Sequence, residues 1–148
     1  MGVKVVFFDY KMSKSQAAGR MFQDINFKVK SAAGKKLEQL ICVENPDNPD
    51  GGPVLVYIKM EGISWSQYFL ESCFGVWENW GEIETDDDAY SYHDYAEKFG
   101  VKGLIITAVY CKDNEISLEF ETSEKLVLKY KDPDEWDGDT EMIKILTP

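Results

Sequence analysis

The sequence predicts an α+β fold: a mostly antiparallel sheet with a C-terminal β-meander and two or three short helices packed on it. Three observations carry that expectation. Beyond Leu104, apolar and polar residues alternate with period two. Val54 to Met60 is apolar along most of its length, as in an interior strand. Two stretches, Trp65/Tyr68/Phe69 and Tyr92/Tyr95/Ala96/Phe99, carry apolar residues at helical spacing. A chain of 148 residues matches one domain, taken as 1–148, and 44% hydrophobic residues suffice for its core.

Taken in order, Val3 to Tyr10 is β-branched and aromatic and reads as a strand. Ser15 is placed to cap a short helix through Phe22, which Gly19 weakens. Ile25 to Val29 alternates as a half-buried strand, Ser31 to Lys35 turns, and Lys36 to Glu44 is the expected second arm of that hairpin. Asn45 to Pro53, NPDNPDGGP, is too rich in proline and glycine for regular structure. After the Val54–Met60 strand, Gly62 breaks the chain, and Ser64 is placed to cap a helix over Trp65 to Ser72. Val76 to Glu84 fits strand or helix. A helix is expected from about Asp88 to Phe99, with acids at its start, Lys98 near its end and Gly100 as its stop. Leu104–Lys112, Ile116–Phe120 and Leu126–Tyr130 form the meander, and Met142 to Leu146 adds an edge strand.

Charge is the most informative property. The chain carries 16 basic and 27 acidic residues, a net charge of −11. Residues 1–60 sum to +3 and residues 61–148 to −14. From Met60 to Glu97 there is no Lys or Arg, yet there are ten acids. Such a field repels phosphate backbones and attracts basic proteins, so a nucleic-acid partner is not expected. No apolar run approaches the ~20 residues that span a bilayer, and the N-terminus fits neither a secretory leader nor a myristoylation motif. Three widely spaced cysteines, Cys42, Cys73 and Cys111, fit a reducing cytoplasm better than a disulfide framework.

Enzymatic constellations are weak. His93 is the sole histidine, expected on a helix surface, and nothing in the spacing sets it beside a thiol. Cys42 and Cys111 lie in apolar strand patterns and read as core; Cys73 lies at the wrong end of a helix to activate a thiolate. One histidine and no paired cysteines do not build a zinc site. Setting Gly138 as the glycine of a calcium loop puts Lys144 at the twelfth ligand position, so that motif fails. The acidic loops leave an irregular, weak divalent-cation site open as an alternative. Phosphate-cradling and hydrolase motifs are lacking. No catalytic residue and no cofactor is assigned.

What remains is an interleaving of acids with aromatic rings. Trp77-Glu78-Asn79-Trp80-Gly81-Glu82-Ile83-Glu84 leads into Asp86, Asp87 and Asp88, with Tyr90, Tyr92 and Tyr95 close behind. A second patch sets Trp136, Asp137 and Asp139 within an acidic loop. Tryptophan and tyrosine are enriched at interfaces, and carboxylates beside them pair with Arg and Lys. The plainer account buries the rings in the core and leaves the acids to solvate the surface. For any one residue it is favoured, but rings with acids on both sides are hard to bury as a set.

In its size, its base-free stretch and its WENW and DPDEWDGDTE segments, the chain resembles small acidic bacterial immunity proteins of polymorphic toxin systems. That resemblance is one of type and assigns no role to any single residue. It implies a compact cytoplasmic protein that blocks a toxin domain by covering its active site. The leading expectation is therefore a non-enzymatic binding protein that occludes a basic partner, such as a toxin nuclease domain. It would use Trp77, Glu78, Trp80, Glu82, Glu84, Asp86, Asp87 and Asp88, with Trp136, Asp137 and Asp139 as a second patch. Two alternatives stand beside it. One is a small-molecule-binding or enzymatic α+β domain with an aromatic pocket around Trp65, Tyr68, Trp77 and Trp80. The other is a subunit of a homo-oligomer, joined through Val3–Phe8 or Met142–Leu146. The sequence leaves oligomeric state open.

Overall fold

Alternation of inward and outward side chains, not helical periodicity, governs most of the chain. The computed structural model describes residues 20–22, 27–71, 74–112, 115–132 and 138–146. One sheet has six strands, in the order β1 (Arg20–Phe22), β6 (Phe74–Gly81), β5 (Trp65–Glu71), β4 (Pro53–Met60), β3 (Leu37–Glu44) and β7 (Ser91–Asp94). The other has five: β11 (Thr140–Leu146), β10 (Glu124–Tyr130), β9 (Glu115–Phe120), β8 (Ile106–Lys112) and β2 (Phe27–Lys28). Every pairing is antiparallel. Strands β8 to β11 form a sequential meander, with β11 at its edge.

The two sheets share one hydrophobic core. Leu40, Cys42, Val56, Ile58, Tyr68 and Trp77 enter it from the six-stranded sheet. Val109, Cys111, Ile116, Leu118, Leu126 and Leu128 enter it from the other. Burying such side chains supplies ~1.5–3 kcal/mol each. At one corner the sheets join through the Leu37 N–H to the Leu104 carbonyl, 3.0 Å, and the Gly103 N–H to the Leu37 carbonyl, 2.8 Å. Elsewhere the Thr140 hydroxyl donates to the Pro53 carbonyl at 2.6 Å. Gly52 makes that second approach feasible. Its φ is 75°, and a Cβ there would lie 2.0 Å from the Thr140 carbonyl oxygen.

The fold is mostly β, which overturns the α+β expectation. The helix expected over Trp65–Ser72 is strand β5 as far as it is described. Its aromatics serve both faces: Tyr68 enters the core, while Phe69 lies on the outer side. A strand covered on both faces loses clean alternation, and its residues then fall at helix-like spacing by chance. The helix expected over Asp88–Phe99 is a turn, strand β7 and a single helical turn α1 (Tyr95–Lys98). The Asp94 side chain ends the strand and caps α1, accepting from the Ala96 N–H at 3.0 Å and the Leu40 N–H at 3.1 Å.

Other expectations also shift. Arg20–Phe22 is strand, where the end of a helix was expected; Val3–Tyr10 and Ser15 lie outside the described residues. The expected hairpin of Ile25–Val29 with Lys36–Glu44 does not form, because β2 pairs with β8 while β3 pairs with β4 and β7. The proline-rich loop carries a 3-10 turn over Pro49–Gly51. No helix of the described residues is long and apolar enough to cross a membrane.

Candidate functional site: an acidic aromatic trough

Residues that alternate with the core residues of β3 to β6 point away from it. On the outer face of the six-stranded sheet, Tyr57, Gln67 and Glu78 form one rung across β4, β5 and β6. Tyr92, Val43 and Leu55 form another across β7, β3 and β4. Phe69 and Trp80 complete this aromatic surface. The segment from Glu82 to Tyr90, which has no regular structure before its closing turn, runs from β6 to β7 along it. Asp87 shapes that turn: its side chain accepts from the Ala89 N–H at 2.9 Å, and its carbonyl from the Tyr90 N–H at 3.1 Å.

Together these groups line an open trough of about 740 Å³. The aromatic lining is Tyr57, Phe69, Trp80, Tyr90 and Tyr92; the carboxylates are Glu82, Glu84, Asp86 and Asp87. No Lys or Arg is among its lining residues. Its volume is within the ~300–1,000 Å³ of ligand pockets. Burial, and then the neighbouring Tyr92, push the Tyr57 hydroxyl above its ordinary range. Gln67 is only 6% exposed and donates from Nε2 to Glu78 Oε1 at 2.6 Å.

The structure divides the expected site. Trp80 is 49% exposed and lines the trough, as do Glu82, Glu84, Asp86 and Asp87. Asp88 is exposed beside them. Trp77 is a correction: it is 1% exposed and belongs to the core. Trp80 follows it at an interval of three positions, and an odd interval on a strand puts two side chains on opposite faces. Glu78 faces outward but is buried against Gln67, so it is not a surface charge. The aromatic pocket around Trp65, Tyr68, Trp77 and Trp80 does not assemble, since Tyr68 and Trp77 are core while Trp80 is on the other face. Of the second patch, Trp136 and Asp137 lie outside the described residues. Asp139 is exposed and accepts from Asn48 Nδ2 at 3.2 Å, beside a cavity of about 250 Å³. Val54 lines both that cavity and the trough.

Sequence reasoning missed Leu55, Tyr57, Gln67 and Phe69. A period-two count begun at Val56 and carried across β4 and β5 would have put Tyr57 outward, but the unbroken apolar run hid which side was which.

Cys42 and Cys111 are buried, and burial raises both well above the ordinary thiol range; Glu44 and Asp94 push Cys42 further. Cys73 lies outside the described residues. His93 stands on a strand and not on a helix. Register sets it opposite Cys42, but its Nε2 lies 3.7 Å from the Glu44 carboxylate. A third cavity there, about 410 Å³, is lined by Glu44, Tyr92, His93, Asp94, Tyr95 and Lys98. The Tyr95 hydroxyl donates to Glu44, and burial together with that bond raises its pKa. Among the described residues no three His, Cys, Asp or Glu side chains gather as metal ligands.

Comparison with protein-family models, curated proteins and solved structures gives no match.

Proposed function

We propose that the protein is a non-enzymatic binding protein of the cytoplasm that occludes a basic protein partner, in the manner of an immunity protein covering a toxin nuclease domain. The trough is its contact surface. One observation carries the reading: four carboxylates and five aromatic rings meet in a single open cavity with no base among its lining residues. The carboxylates steer a basic partner and then pair with it. The rings give contact area at small entropic cost and attract cations over their faces. The net charge of −11 extends the attraction beyond the contact. Action is by occupancy, so no side chain has to change a bond.

The test is association kinetics against a panel of small basic nuclease domains, with inhibition followed in parallel. The expected outcome is stoichiometric inhibition of at least one member. Asp86→Lys with Asp87→Lys should slow its association about tenfold at low salt and much less at high salt. Association unchanged by that reversal with every binding member would sink the proposal.

The same cavity supports a second reading, a site for a small cationic aromatic-stacking ligand, because its volume suits one. It separates from the first by stoichiometric binding of small cations that leaves every basic protein unbound.

A further inference from the structure

We infer that the trough seats an arginine side chain of the basic partner, with Gln67 Oε1 as an acceptor in the trough wall. This rests on the binding role proposed above and adds which side chain is recognised.

Gln67 is the observation that points to a ligand. It is more than nine-tenths buried, it lines the trough, and its side chain makes one hydrogen bond to protein, from Nε2 to Glu78 Oε1 at 2.6 Å. The reverse amide orientation would press two oxygens together at that distance, so the carboxylate fixes the amide. Nitrogen is thereby committed, and Oε1 is left as an acceptor without a protein donor. The side chain as a whole is nearly buried, but Oε1 itself is not sealed within the protein, so it is open to a donor that enters the trough.

The rest of the lining narrows the donor. Glu82, Glu84, Asp86 and Asp87 accept hydrogen bonds when ionised and favour positive charge. Trp80 and its aromatic neighbours offer flat faces. A guanidinium is planar, stacks on rings, carries five donors and is weakly hydrated. An ammonium is compact and strongly hydrated, and it loses more when drawn from water. At about 740 Å³ the trough holds far more than one guanidinium, so it also takes flanking backbone. The occupant is therefore an arginine on an exposed segment of the partner.

Three blocked pentapeptides, Gly-Gly-X-Gly-Gly with X as arginine, lysine or citrulline, test this by chemical-shift titration of the full chain at low salt. The arginine peptide should bind at least fivefold more tightly than the lysine peptide, and the neutral, equally shaped citrulline peptide more weakly still. Gln67→Met should reduce the arginine preference about threefold or more. Trp80→Ala should weaken arginine binding about three- to fivefold. Trp80 is exposed, so that variant decides the matter if Gln67→Met does not fold. Equal affinity for arginine and lysine, or a preference untouched by both substitutions, overturns the inference. If basic domains then still bind with sensitivity to Asp86→Lys/Asp87→Lys, only the arginine assignment falls. If neither peptides nor basic domains respond to those changes, the binding role falls with it.

Discussion

The trough on the six-stranded sheet and the outer face of the five-stranded sheet handle charge in opposite ways. On the five-stranded sheet, Lys125 stands opposite Glu119, and Lys129 stands opposite Glu115 on one side and Glu141 on the other. Lys28 lies 5.3 Å from the centre of the Tyr110 ring across the β2–β8 pair. Each of these lysines stands across from an acid or an aromatic ring on the adjacent strand, so opposite charges alternate across that face. On the six-stranded sheet the trough collects four carboxylates and no base. Similar strands thus carry one surface on which acids face bases and a trough whose lining has acids alone. On the proposed reading, a binding face is marked by acids without opposing bases and not by acid content alone.

Substitutions can break or sharpen that contrast. The largest effect belongs to the layer beneath the trough. Trp77→Ala should cost ~3–5 kcal/mol in urea denaturation, whereas Trp80→Ala should stay within ~0.5 kcal/mol. If both destabilise equally, the assignment of the two indoles to opposite roles fails. Next comes the charge itself. Asp86→Lys with Asp87→Lys should slow association about tenfold at low salt and lower the melting temperature by only about 2–4 °C, through loss of the Asp87–Ala89 turn bond. The matching change on the other face, Lys125→Ala with Lys129→Ala, should alter association less than twofold.

A pH effect follows at α1, next to the edge strand β7. Tyr95 is raised above the ordinary tyrosine value of 10.0 by burial and by its bond to Glu44. A group raised in the folded state gives stability that is complete below the unfolded pKa and is lost as pH climbs toward the folded one. Thermal melts should therefore fall above about pH 10, and Tyr95→Phe should flatten that decline. An unchanged alkaline slope would remove Tyr95 as its source. The smallest effect is on the outer face of the five-stranded sheet, where Lys125→Ala should cost only ~0.2–1 kcal/mol.

How much of this could be read from the residues differs between the sheets for a physical reason. The meander β8–β11 joins neighbours in sequence and buries chiefly one face, so Ile116, Leu118, Leu126 and Leu128 announce it by alternation. The six-stranded sheet brings β1 beside β6 and β7 beside β3, pairings that no local pattern encodes. Strand β5 is buried on both sides at Ser66, Gln67 and Tyr68, and so Trp65, Tyr68 and Phe69 mimic a helix. The acidic stretch from Glu82 to Asp88 was legible because its residues are contiguous. Tyr57 and Gln67 were not, because only sheet register brings them to Glu82 and Asp86. The Trp77–Trp80 pair shows the cost of reading composition without period: one strand, two faces, two roles.

The trough as binding surface is tested most directly by mapping backbone amide shifts of the full chain while a polyarginine peptide is added at low salt. The expected result is perturbation at Leu55, Tyr57, Gln67, Phe69 and Trp80 and along residues 82–90, with Ser117, Lys125 and Lys129 unmoved. Perturbations spread evenly over both outer faces, or confined to the five-stranded sheet, would contradict it.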